Sequence, residues 1–369
     1  MKIAAVETFQ LRGEGEQGGY GSPYGFVVKV VTEDGIVGYG ETDSMPPVVE
    51  AIVHAPFLNE MMSGLAAVIL GNDADSAASW DRMSMAALGY SRDGGVRHAM
   101  AAIDIALWDI KGKAEGKPVC ALLGGAKRER LRAYATHPLG LTLRETASFA
   151  EMLIEDGFSA VKFGWRPLGP DPDGDEAIVR TLREAIGPEA DLLIDGGMAW
   201  DLEAAKLRAA RFAPYRPYWL EEPLPAYDFD AYAELRASSP VRIAAGEMSA
   251  SYAELQHLVK RRGVDVLQVD VSRTGLTEAM RIAGLAAQYG IPCVNHTYSY
   301  LFNAAASLHF AAAVEITDLF ECQVTPNGLR DALDGGQLRP RDGWAFVPTA
   351  PGLGVEVDEA VLRRFRVPI

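Results

Sequence analysis

Seven side chains able to do acid–base or metal chemistry recur at near-constant intervals in this 369-residue chain: Lys162, Asp195, Glu221, Glu247, Asp270, His296 and Glu321. From Asp195 onward the steps are 26, 26, 23, 26 and 25 residues. Asp195, Glu221 and Glu247 are consecutive carboxylates in this series. Brought to one place they repel one another unless a divalent cation lies between them, and few hard oxygen ligands with room for water suit Mg²⁺. The bland reading makes each a helix N-cap or an arginine partner; three in a row at equal spacing favour the metal. Asp270 and His296 are placed to pair, the carboxylate fixing the imidazole tautomer and raising its basicity for use as a general base. Lys162 can bind or polarise a substrate carboxylate, or it can balance the acidic cluster. Glu222 competes with Glu221, but its side chain is expected to face the helix layer or a basic neighbour.

Each of these residues ends a short apolar run. The runs are 131–137, 160–165, 191–195, 218–222, 242–247, 265–270, 291–296 and 318–323, each followed by a helix-like segment, the last irregularly because Pro326-Asn327-Gly328 comes at once. Eight β–α units at this spacing imply a closed parallel (β/α)₈ barrel of the TIM type, whose chemistry sits at the C-terminal strand ends. Ahead of it, residues 2–12, 25–32 and 36–41 read as strands, with a turn at Asp34-Gly35, and a helix runs from about Gly95 to Gly116. The expected organisation is an α+β capping domain acting as substrate lid (1–125), the barrel (126–325), and a C-terminal segment (326–369) that packs back on and completes the cap.

Composition excludes several classes. Asp and Glu number 50 against 35 Lys and Arg, a net charge of −15, which repels nucleic acid and anionic lipid. Three cysteines without CxxC spacing (Cys120, Cys293, Cys322) exclude a disulfide scaffold or zinc ribbon. The N-terminus meets Glu7 too early for a secretory segment, and runs such as 65–70 are too short for a membrane span, so a cytoplasmic protein is expected. Gly13-Glu14-Gly15-Glu16-Gln17-Gly18 matches GxGxxG, but its glutamates and the following GYGSPYG do not suit a dinucleotide. It reads as a loop, with Met45-Pro46-Pro47 as a possible second wall. The 171–176 stretch DPDGDE reads as a solvated turn into a helix rather than a calcium loop.

IDIALWDIKGK (103–113), LLGG (122–125), WLEEP (219–223), AAGE (244–247), the Asp270/His296 pair and the PGLG tail (351–354) together resemble the enolase superfamily, mandelate racemase-like subgroup, over essentially the whole chain. The resemblance implies Mg²⁺ on Asp195, Glu221 and Glu247, and proton abstraction next to a carboxylate by the His296–Asp270 dyad. It also implies Glu321 bonding the substrate carboxylate or enediolate, and a loop closing over the mouth. Tyr20, Tyr24 and Trp165 are then candidate substrate contacts. His137, ending the first run, is either another or simply structural. Relatives are commonly dimers or octamers, so a homo-oligomer is expected. Two departures stand out: many relatives carry K-x-K where this chain has Lys162-Phe163-Gly164, and D-x-N where it has Asp195-Gly196-Gly197. Losing the second lysine points away from a two-base racemase and toward dehydration of a sugar acid to a 2-keto-3-deoxy acid. The alternatives are a racemase, epimerase or cycloisomerase of a hydroxy acid or sugar-acid lactone, and a non-catalytic metal-bound binder.

Overall fold

A computed structural model describes residues 1–13, 23–165, 168–315 and 319–367. The N-terminal alternation forms an antiparallel sheet in the order β1 (Ile3–Arg12), β2 (Tyr24–Thr32), β3 (Val37–Thr42). A small ribbon follows, β4 (Phe57–Asn59) with β5 (Met62–Ser63), and the helix Gly95–Glu115 lies across the main sheet. That helix stops at Gly116, whose φ of 65° gives the left-handed C-cap that glycine adopts without strain.

On β3 the period-two alternation divides two jobs. A Cβ on Gly38 or Gly40 would lie 2.1 or 1.9 Å from the carbonyl oxygens of Ala106 and Ala102, so only glycine lets the strand lie this close to the helix. Tyr39 and Glu41 point the other way. Tyr39 stacks on Phe302 with ring centroids 5.4 Å apart. Glu41 accepts hydrogen bonds from the backbone N–H groups of Tyr300 (2.7 Å), Phe302 (3.1 Å) and Asn303 (3.3 Å). These are the orphan donors at the start of the helix Leu301–Ala313, which has no side-chain cap of its own. A second buried acid, Asp104, accepts from Thr277 N (2.9 Å) and Thr277 Oγ1 (2.6 Å), where the helix Val271–Gln288 resumes after its break at Gly275.

The eight expected runs form parallel strands β6 (Arg130–Pro138), β7 (Ala160–Gly164), β8 (Asp191–Asp195), β9 (Trp219–Glu221), β10 (Ile243–Ala245), β11 (Val266–Val269), β12 (Cys293–Asn295) and β13 (Leu319–Gln323). β6 to β12 pair in sequence, and β13 returns to pair with β6. The seam between β12 and β13 is bridged by side chains: Asn295 Oδ1 accepts from Glu321 N (3.2 Å), and Glu321 Oε2 from Thr297 N (2.8 Å). One inward residue from each strand, from Tyr134 on β6 to Leu319 on β13, fills the barrel. Apart from Leu301–Ala313, the α-helices between the barrel strands begin at side-chain caps. They include Thr142 with a full capping box, and Asp171, which turns the 171–176 stretch into the helix Pro172–Ile186. Pro46 and Pro47 likewise open a helix, Pro46–His54.

After the barrel, a strand too short to announce itself, β14 (Trp344–Phe346), pairs antiparallel with the start of β6. The chain then returns to the N-terminal sheet. Val367 N donates to Gln10 O (2.8 Å), and Glu359 accepts from Lys29 Nζ and Tyr39 Oη, both at 2.7 Å. Among the described residues no helix is long and apolar enough to cross a membrane.

Glu41 is the clearest test of how the two parts are held. Glu41→Ala strands three helix-end donors and should lower stability by about 1–3 kcal/mol in urea denaturation. Burial pushes the Glu41 carboxyl up from 4.5 to about 7, against the N–H groups that lower it. A raised folded-state pKa gives stability that is complete below 4.5 and lost as pH rises through 7. Wild type should therefore lose ground to Glu41→Gln between pH 6 and 8.

Candidate active site

At the mouth, neighbouring strands present charge at matched heights. Register places Thr136 beside Lys162 on one level and Asp195 beside Glu221 on the next. The buried Lys162 ammonium is hydrogen-bonded to Glu221 Oε1 and lies 2.6 Å from Glu321 Oε1. Burial opposes its charge, but Glu221 and Glu321 outweigh that and hold the lysine well above its usual range. Glu321 is ionised in turn: burial works against it, while Lys162, His296 and the Thr136 hydroxyl (2.7 Å) bring it below the usual carboxylate value. Lys162 is thus centred among the acids, in the balancing position that its type allowed.

The dyad is formed. His296 Nδ1 is 2.8 Å from Asp270 Oδ2, and Asp270 Oδ1 accepts from Ser272 N at 2.7 Å. His296 Nε2 faces Glu247 Oε2 at 3.3 Å, a buried oxygen with no aligned hydrogen-bond donor. Burial alone would push the imidazole down; Glu247, Glu321 and Asp270 together carry it up to about 10.

Six carboxylates, Asp195, Glu221, Glu222, Glu247, Asp270 and Glu321, therefore share the mouth with two permanent cations, Lys162 and Arg273. Burial with Glu247 nearby pushes Asp195 up to about 6, despite Lys162. Glu221 is raised by burial and by Asp195, Glu247 and Glu321. Glu222 turns into the helix layer as expected, but toward a hydroxyl and an amide rather than a base. It accepts from Tyr232 Oη (3.3 Å) and Gly246 N (2.8 Å), and burial with Glu247 holds it up to about 8. Its φ of 39° is a strained setting for a side-chain-bearing residue, of the kind concentrated at functional sites. As a donor set, Asp195, Glu221 and Glu247 fit a hard divalent cation: all oxygen, short of positive charge, with one orphaned buried oxygen on Glu247. Among the described residues they are not drawn into a cluster, because Lys162 takes Glu221 and the Gly197 N–H takes Asp195 Oδ1 (2.8 Å).

The substrate-contact candidates divide. Tyr20 lies outside the described residues. Tyr24, under the Arg12 guanidinium at 5.5 Å, lines a cleft between cap and barrel with Asp43, Tyr298, Tyr300 and Gln323. His137 agrees with the structural of its two readings. It pairs in register with Phe163, on the outward face, and packs on Phe149 at 4.4 Å with Nδ1 near Pro138 O (2.8 Å), so it is structural. Trp165 is 62% exposed just beyond β7, at a φ of 68°. Its indole explains one departure: a Cβ on Gly197 would lie 2.5 Å from Trp165 Cδ1. Gly164 is equally constrained, since a Cβ there would meet Asp195 O at 2.0 Å. Inward residues not anticipated are Tyr134, Thr136 and Gln268; Tyr134 Oη and both amide atoms of Gln268 are buried without hydrogen-bond partners. Alternation along each run was the signal for them.

The model of the mandelate racemase / muconate lactonizing enzyme N-terminal domain matches residues 23–124, and the enolase C-terminal domain-like model matches 145–361. The chain is 34% identical to a D-gluconate dehydratase of Thermoproteus tenax, covering 93% of this chain and 70% of that protein. It is 31% identical to a D-galactarolactone cycloisomerase of Agrobacterium fabrum over the whole of both. The crystal structure of the 3,6-anhydro-D-galactonate cycloisomerase from Zobellia galactanivorans superposes with a TM-score of 0.91 at 30% identity, covering all of both chains.

The Trp165–Gly197 contact predicts a coupled pair. Gly197→Ala should destabilise the wild type through both its left-handed backbone and the indole clash. In a Trp165→Ala background only the backbone part should remain, a coupling of about 0.5–2 kcal/mol in a double-mutant cycle. Additive losses would show that the indole does not hold this space.

Proposed function

The chain belongs to the mandelate racemase / muconate lactonizing enzyme family of the enolase superfamily, and from that premise we propose that it dehydrates a sugar acid by one-base β-elimination on His296. The carrying observation is the buried His296–Asp270 dyad, its Nε2 directed toward Glu247 Oε2 (3.3 Å) in a mouth lined by Asp195, Glu221 and Glu247. His296 Nε2 takes the proton α to the carboxylate, and the electron pair forms the C=C bond as the β-hydroxyl leaves. The imidazolium returns the proton to that oxygen, so water departs, and the enol tautomerises to a 2-keto-3-deoxy acid. Asp270 holds Nδ1 protonated throughout, which aims Nε2. Lys162, fixed as an ammonium, offers positive charge toward the substrate carboxylate.

Mg²⁺ belongs to the same proposal. Asp195, Glu221 and Glu247 would hold it, and bound there it supplies Lewis-acid stabilisation of the charge that builds on the substrate carboxylate. General acid–base help amounts to about 10²–10⁴-fold, so preorganised charge must supply most of the difference from a typical enzymatic barrier reduction of ~8 kcal/mol or more. Neutralising Glu247 also removes the largest of the charges that keep His296 protonated, bringing the imidazole toward the range a base needs. Cycloisomerisation is the second reading, favoured by the full-length match to two cycloisomerases; there the departing oxygen belongs to the substrate's own ring. We place the activity in cytoplasmic sugar-acid catabolism, where the three buried, unpaired cysteines suit a reducing compartment.

A panel of sugar acids and their lactones, incubated with protein and Mg²⁺, tests both readings: dehydration gives a 2-keto acid lighter by one water, cycloisomerisation a product of unchanged mass. His296→Asn should reduce turnover by about 10²-fold or more while Mg²⁺ still binds. Glu221→Gln should weaken the metal's binding itself. Substrate recovered from partial turnover in D₂O should keep its α-configuration. The opposite epimer as main product would overturn the one-base reading.

A further inference from the structure

Arg273 occupies an unfavourable place for a cation. It lies in the first turn of the helix Val271–Gln288, where the helix end is already positive. It is also buried, its side chain 12% exposed, and burial works against its charge. Its surroundings account for it. Nη2 is 2.9 Å from Asp43 Oδ2, on the cap segment that follows β3. Nη1 donates to the backbone oxygen of Glu247 (2.7 Å) and lies 3.2 Å from Met248 Sδ. Nε has no hydrogen-bond partner and stands 3.7 Å from Asp270 Oδ2, the same oxygen that His296 Nδ1 uses at 2.8 Å. The cap segment is held at two further points: Asp43 N donates to Ser272 Oγ (3.3 Å), and the Ser44 hydroxyl contacts His98 Nδ1 (3.0 Å).

We propose that Arg273 is a positioning residue, held by Asp43 of the cap and the Glu247 carbonyl just short of bonding Asp270, so that a seated cap reserves Asp270 Oδ2 for His296. Two donors compete for one carboxylate oxygen. An arginine fork already engaged at both Nη atoms cannot advance its Nε the remaining distance without giving up a bond. Remove the Asp43 charge and the guanidinium is free to close on Asp270, displacing the imidazole N–H. Asp270 still contributes, but to the wrong partner. Cap docking and base alignment then become one event, although Asp43 and His296 are 253 positions apart.

This inference rests on His296 being the base, so its test uses one readout that needs no substrate. In full-length Mg²⁺-loaded enzyme, the His296 Nδ1–H proton bonded to Asp270 gives a far-downfield proton resonance that His296→Asn identifies. Asp43→Ala should weaken or shift that resonance and lower kcat about tenfold or more. Arg273→Met removes the competitor, so adding Asp43→Ala to it should change neither the resonance nor kcat further. Arg273→Lys, which keeps the charge but cannot grip both anchors, covers the case in which Arg273→Met fails to fold; it should shift the resonance and lower kcat with KM within about threefold. An unmoved resonance in Asp43→Ala, or losses that simply add in the double variant, overturns the proposal. If instead His296→Asn keeps its activity while the resonance behaves as described, the positioning stands and the base assignment falls.

Discussion

The mouth of this barrel depends on an unequal sharing of charge. Two unit charges 4 Å apart interact by about 4 kcal/mol at an effective dielectric of 20, so burying six carboxylates beside two cations sets every protonation state around them. Lys162 takes Glu221 and Glu321, closing the site between β9 and the β12–β13 seam. Arg273 takes Asp43 and lies close to Asp270. Asp195, Glu222 and Glu247 are left without a permanent cation, and Asp195 and Glu222 are the two that burial lifts to about 6 and 8. Glu222 finds relief in a tyrosine hydroxyl and a backbone amide. Asp195 and Glu247, with Glu221 beside them, are the remainder that a divalent cation would complete.

Acids also hold the cap to the barrel, by another route. Glu41 and Asp104 end on backbone N–H groups of barrel helices instead of on cations, joining the positive end of a helix to a carboxylate from elsewhere in the chain. Asp109 makes a joint of another kind, accepting from Tyr39 N, Leu353 N and the Lys113 ammonium, which ties sheet, helix and tail together. These contacts are directional, so the cap is set in angle as well as in place. Asp43 therefore reaches Arg273 at a defined distance.

The barrel was legible because one βα unit repeats at nearly constant length, and the dyad because its two members end adjacent strands. The reading failed where it took the last residue of a run without its pleat. His137 ends the run read from the sequence and is next to last on β6, but it shares the outward parity of Phe163, whereas Thr136, one position earlier, shares the inward parity of Lys162. The same parity exposes Tyr134, and alternation on β11 exposes Gln268. Arg273 was hidden for a different reason: its partners lie on Asp43 and Glu247, and no spacing rule links a helix's first turn to a cap segment 230 residues earlier. β5 and β14, of three residues or fewer and outside the βα repeat, carry too little alternation to read. Gly164 and Gly197 looked like losses from a motif, while in space both answer close approaches, to Asp195 O and to the Trp165 indole.

The asymmetry between Lys162 and His296 supplies the last step. A base must be free of its proton at the working pH, and its lone pair must face the substrate. Lys162 meets neither condition. Glu221 and Glu321 hold its proton on and take its ammonium from two sides, and Gly164 offers no second amine on that strand. His296 is also held protonated here, but by a different arrangement, in which the largest contribution comes from Glu247. That carboxylate has a buried oxygen, Oε2, without a hydrogen-bond donor, which leaves its charge open to neutralisation. Neutralise it and the largest of the charges that hold the proton on His296 is gone, while Lys162 still has Glu321 at 2.6 Å. In the reaction proposed above, one group then gains and returns a proton on a single face of the substrate, which is the requirement of a syn elimination and is insufficient for inversion at the α-carbon.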